Sequence, residues 1–107
     1  MKWNFAYSEE AQRDLNSFAN PQIRQIEKII MRVSENPLPQ SEGGYGKPLG
    51  NRQGRNLTGL LKIKLKKLGV RVVYKLIRTE TTMHIIVVAA RADEEVYEIA
   101  AKRSGLK

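Results

Sequence analysis

The chain has 107 residues, 41% hydrophobic and 28% charged, enough for one domain with one modest core and too apolar for a disordered segment. It contains no cysteine and one histidine, which excludes disulfides, thiolate metal sites, cysteine nucleophiles and chemistry built on paired histidines. Its 19 Lys and Arg against 11 Asp and Glu leave a net charge of +8, which points to a polyanionic partner.

No apolar run reaches the roughly 18 residues that would span a bilayer. The N-terminal MKWNFAYSEE lacks the apolar core of a signal peptide. A cytoplasmic protein without membrane contact is therefore expected, its chemistry left to Lys, Arg, Tyr, Glu or Asp.

Trp3 to Tyr7 alternates large and small residues and predicts a first strand. Ser8 is a plausible N-cap, with Glu9 and Glu10 where a helix dipole favours acids. Ala11, Leu15 and Phe18 then predict an amphipathic helix over 9–19. Asn20-Pro21 reads as a cap followed by proline at the first helical position. Ile23, Ile26, Ile29, Ile30 and Val33 carry that second helix over 21–36, antiparallel to the first. Residues 37–56 are rich in Gly and Pro and show no apolar period, so a long loop is expected.

Leu61, Ile63 and Leu65 alternate with Lys62, Lys64 and Lys66, a strand with two unlike faces. A turn near Lys67-Gly69 leads to a strand over Val70–Ile77, and a second turn to an almost wholly apolar strand over Met83–Ala89. Asp93-Glu94-Glu95 opens a short helix ending near Ser104-Gly105. The order βααβββα predicts a single α+β domain over 1–107, with two N-terminal antiparallel helices packed on a small antiparallel sheet.

Charge is distributed unevenly along this plan. Arg55, Lys62, Lys64, Lys66, Lys67, Arg71, Lys75 and Arg78 fall in 24 residues that contain no acid, while 11 basic residues face 11 acidic ones elsewhere. Any one lysine here could simply solvate a strand face and discourage edge pairing. Together they repel across adjacent strands with no neutralising acid nearby, a pattern suited to phosphate.

Arg91 follows directly on the apolar run IIVVAA, and Tyr97 lies one to two turns into the last helix. Each alone suits a structural role, the arginine capping a sheet end and the tyrosine closing a core edge. Beside the cationic strands they suggest acid–base chemistry, because neighbouring cations favour the ionised form of a phenol and push crowded lysines toward neutrality. His84, Trp3, Phe5 and Tyr74 read as structural, and Tyr45 in GGYG suits either base stacking or loop anchoring. Glu9/Glu10 and Asp93–Glu95 read as helix starts rather than metal ligands.

The stretches LKIKLKKLGVRVVYKLI (Leu61–Ile77), the strand ending in Arg91, and EVYEIAAKR (Glu95–Arg103) resemble the RelE branch of the RelE/ParE toxins. The order of elements resembles that branch over essentially the whole chain. The resemblance implies the toxin of a type II toxin–antitoxin pair that cleaves mRNA in the ribosomal decoding site without a cofactor. It implies Lys62, Lys64, Arg71, Arg91 and Tyr97 as catalytic residues, with Arg55, Lys66, Lys67, Lys75 and Arg78 gripping RNA or the ribosome. The implied partners are a RelB-like acidic antitoxin wrapping the basic face, the ribosome and mRNA, with DNA reached only through the antitoxin. The alternatives are a ParE-like toxin that inhibits gyrase without cutting RNA, and a plain basic nucleic-acid-binding module. The Gly-rich loop over 40–56 departs from the family pattern in its length.

Overall fold

The computed structural model describes residues 3–52 and 55–104, apart from the side chains at 51, 52 and 55. The elements run β1 (Asn4–Tyr7), α1 (Glu9–Asn16), α2 (Asn20–Val33), β2 (Lys47–Arg52), β3 (Arg55–Leu65), β4 (Val70–Ile77), β5 (Thr82–Ala89) and α3 (Asp93–Ser104). Short 3-10 turns occupy Gln40–Glu42 and Arg78–Glu80. The α+β class and the order of the expected elements hold, with one strand added.

Local chemistry explains the helix boundaries. Ser8 Oγ accepts the Ala11 N–H at 3.1 Å and caps α1, as its sequence predicts. Helix α1 stops at Asn16, short of residue 19. In α2 the cap is Ala19, one residue before the expected Asn20, and Gln22 Oε1 accepts the Ala19 N–H at 3.3 Å. The helix closes at Val33, because Ser34 donates its hydroxyl to Met31 O at 2.6 Å and the next amides bond three residues back.

The strands pair in the order β1-β5-β4-β3-β2. The sheet is mixed rather than antiparallel throughout: β1 runs parallel to β5, while the other neighbours are antiparallel. Alternation within a short strand specifies which side chains turn inward and leaves direction open, so only the path of the chain decides it.

The loop expected over 37–56 contains β2, which pairs with β3 from Lys47↔Lys62 to Arg52↔Arg55. Its signal is masked by Pro48 and Gly50, between which the register shifts, while Leu49 is its buried anchor. The segment before β2 is closely wound. Tyr74 donates its hydroxyl to Pro37 O at 2.8 Å, and the Tyr45 N–H donates to Asn36 O at 3.1 Å. A Cβ on Gly46 would lie 2.3 Å from the Tyr74 hydroxyl, so that position needs a residue without a side chain.

Both faces of the sheet are covered. Ala11, Leu15, Ile26, Ile30 and Val33 pack on Leu61, Ile63, Val72 and Tyr74 on one face. On the other, Val96, Tyr97 and Ala100 of α3 pack on Leu57, Leu60, Val73 and Val87. Strand β5 serves both layers, with Met83, Ile85 and Val88 on the first and Ile86, Val87 and Ala89 on the second. Its unbroken apolar run follows from that position.

Candidate active site

Strands β3 and β4 place Lys62 opposite Val73 and Lys64 opposite Arg71. Alternate residues share a face, so Lys62, Lys64 and Arg71 stand on the side that α3 covers. A uniform solvated row of lysines does not form. Lys64 is exposed, and Lys66 and Lys67 are exposed in the turn beyond β3, but Lys62 is only 3% exposed. Its ammonium donates to the Tyr97 hydroxyl oxygen at 2.5 Å and lies 5.0 Å from the centre of that ring. Tyr97 itself is buried, at the edge of the core that α3 makes with the sheet.

Asp93, the first residue of α3, draws the cations together. Arg71 Nε donates to its Oδ1, Lys62 Nζ is 3.4 Å from the same oxygen, and Lys64 Nζ is 3.5 Å from Oδ2. Partial burial pushes the Asp93 carboxyl up, but the hydrogen bond from Arg71 and the charges of Lys62 and Arg71 outweigh it and hold it below the usual carboxylate range. Local reasoning marks Asp93 as a helix start, which it is, and misses its second role because its partners lie in strands far back along the chain. An indirect signal existed: a lysine alternating with core residues needs an anion if a helix covers that face.

Arg91 is joined to the cluster through its backbone, its carbonyl accepting Arg71 Nη1 at 2.5 Å. Its guanidinium is exposed and pairs with Glu95 at 3.2 Å. Lys62, Lys64, Arg71 and Tyr97 are thus brought together, with Arg91 at their solvent edge. Further out, Lys75 is exposed on the same face opposite Leu60, while Arg78 pairs with Glu42 at 2.8 Å and holds the turn at Gln40–Glu42. Arg55 opens β3, but its side chain lies outside the described residues. Among the described residues no group of three His, Cys, Asp or Glu side chains is placed to hold a metal ion, and no helix is long and apolar enough to cross a membrane.

A second network fixes α3 at its far end. Arg103 donates to Asp14 at 2.6 Å and to Ile86 O at 3.0 Å, and Asp14 accepts the Val88 N–H at 3.1 Å. Strand β1 accompanies β5 only as far as Ile85, so these side chains satisfy the backbone edge that β1 leaves open. They also tie α1 to α3 around the rim of the sheet.

A small mixed sheet thus carries two helices on one face and, on the other, a C-terminal helix that closes a cationic cluster. The chain has the fold of RelE toxins. It is similar to a doubly substituted RelE toxin of E. coli in the free state, with 25% identity over 96% of this chain and 98% of that one and a TM-score of 0.71. The same substituted toxin bound to an antitoxin RelB peptide matches at 25% identity over 96% and 98% of the two chains, with a TM-score of 0.66. The RelBE2 toxin–antitoxin complex of Mycobacterium tuberculosis matches at 25% identity over 87% and 95%, with a TM-score of 0.68. No protein-family model matches the chain, and no curated protein does. The structural likenesses support a toxin of toxin–antitoxin type.

Proposed function

We propose that the chain is the toxin of a type II toxin–antitoxin pair and an endoribonuclease that cleaves mRNA in the ribosomal A site. The observation that carries this reading is the convergence of Lys62, Lys64 and Arg71 on one anion-binding point beside Tyr97. In-line attack of a ribose 2′-OH on the adjacent phosphate needs concentrated positive charge where the transition state gains negative charge. Lys64 and Arg71 hold the phosphate oxygens, and Lys62 links that site to the phenol. Tyr97 as the phenolate, or a lysine of the cluster as the free amine, takes the 2′-OH proton; a neighbouring ammonium gives one to the departing 5′-oxygen, and exposed Arg91 closes over the phosphate or that oxygen. The products are a 2′,3′-cyclic phosphate and a 5′-OH end.

The absence, among the described residues, of a histidine or free carboxylate base from the cluster supports a dependence on the ribosome, which holds the message and supplies the orientation that the isolated site lacks. The site of action is then the cytoplasm, and the partners are translating ribosomes and an acidic RelB-like antitoxin. Primer extension on a translated message tests the assignment. Arg71→Ala should lower cleavage by ~10²–10³, the usual effect of removing one preorganised charge donor. Cleavage at the normal rate, or inhibition of gyrase supercoiling in its place, would overturn it.

A further inference from the structure

We propose that Asp93 occupies the seat of the scissile phosphate in the free protein, so that RNA must displace this carboxylate before Lys62, Lys64 and Arg71 can act. The identity of the displacing group rests on the nuclease reading above. A carboxylate spreads one negative charge over two oxygens, as a phosphodiester does over its two non-bridging oxygens. Here Oδ1 faces Arg71 and Lys62 while Oδ2 faces Lys64, the donor set a phosphodiester would require. The exchange is therefore one charge for one charge, with the same three donors on either side of it.

Position makes the exchange feasible. The Asp93 side chain is 33% exposed and stands at the mouth of the cluster, whereas that of Lys62, behind it, is 4% exposed. Rotating one side chain at the first residue of α3 opens the seat, and the rest of the helix stays anchored by Val96, Tyr97 and Ala100 and by Arg103 on Asp14. With Asp93 turned away, three cations are left without their shared counter-ion, and their mutual repulsion favours entry of another anion.

The opposite role would make Asp93 a permanent positioning residue that orients the cations throughout the reaction. The two roles differ in sign. If Asp93 competes with phosphate, Asp93→Asn and Asp93→Ala should bind a short, uncleavable 2′-O-methyl single-stranded RNA about tenfold tighter by fluorescence anisotropy, because a competing state has been removed. The slope of log affinity on log salt should steepen by roughly one contact, and KM in the translation assay should fall. Glu94→Gln, the same charge change on the same turn, should leave affinity within about twofold of the parent.

Equal or weaker RNA binding by both Asp93 variants, or an equal gain in Glu94→Gln, would overturn the proposal. A measurement on the unaltered chain covers variants that fail to fold. The 13C signal of the Asp93 carboxyl should move as the same RNA is titrated in, and a signal unmoved at saturation would also overturn the exchange. The two readings fail separately. Tighter binding in the Asp93 variants without translation-dependent cleavage upholds the seat and removes the nuclease; cleavage that is lost in Arg71→Ala while the Asp93 variants bind no tighter does the reverse.

Discussion

Lys62 is the residue on which the proposed chemistry and the folding of this protein meet. At 3% exposure its amine has lost most of its water, and Asp93 and the Tyr97 hydroxyl take the place of that water. Tyr97→Phe keeps the ring beside the ammonium and removes one acceptor. Stability should fall by only about 1 kcal/mol, while cleavage should fall by ~10²–10⁴ if the phenol takes part in proton transfer. A thermal melt beside primer extension separates the two effects, and unchanged cleavage would reduce Tyr97 to a packing residue. Asp93 carries a pH signature of its own. Its carboxyl titrates below the usual range in the folded chain, so the stability it contributes is complete above the ordinary carboxylate range and is lost as pH falls through the folded value. Melting temperature should therefore drop on acidification below that range, more steeply in the parent than in Asp93→Asn, and superimposable profiles would remove Asp93 as the source.

At the scale of elements, two close fits position the site. Gly46 brings the loop before β2 against Tyr74, which locates β2 beside Lys62. Gly46→Ala should cost ~1–3 kcal/mol, because the added carbon meets a fully buried side chain hydrogen-bonded to Pro37. Chemical denaturation checks this, and an undiminished midpoint would show that the loop can move away. Arg103 acts on α3 in a comparable way. Arg103→Ala leaves Asp14 without its ion pair and Ile86 O without a donor, and should cost ~1–3 kcal/mol. Hydrogen exchange should quicken in α3 before the rest of the sheet, and uniform exchange would mean that the network does not hold the helix separately. Neither fit was legible in the sequence. GGYG reads as a flexible loop until the Tyr74 hydroxyl is seen beside it, and Asp14 and Arg103 stand at opposite ends of the chain.

For the molecule as a whole, the cationic cluster concentrates more positive charge than Asp93 alone offsets, which suits the polyanionic partners proposed above. RelE toxins of similar structure occur with RelB antitoxins in the E. coli and M. tuberculosis complexes. A cognate acidic antitoxin that binds only the folded toxin should raise its melting temperature well above that of the free chain, in proportion to the logarithm of antitoxin concentration. Equal melting temperatures would count against that partnership.

The two-faced lysine strand and the order of elements other than β2 were readable from residues alone, because periodicity of 3.6 or 2 and charge clustering are local properties. The set of five residues proposed for chemistry came instead from the resemblance to RelE toxins. Helix ends were read to within a few residues, and β5 was recognisable from its apolar run. Strand β2 and the parallel seating of β1 were not, since a short edge strand with Pro and Gly leaves no period and alternation carries no direction. Tertiary structure alone decided what the charge cluster means. It buried Lys62 beneath α3, brought Asp93 across 22 residues to Arg71, and moved Arg91 to the solvent edge. A sequence records which charges a chain carries, but their neighbours are set by how β3, β4 and α3 pack, and at a few ångströms the neighbours decide the chemistry.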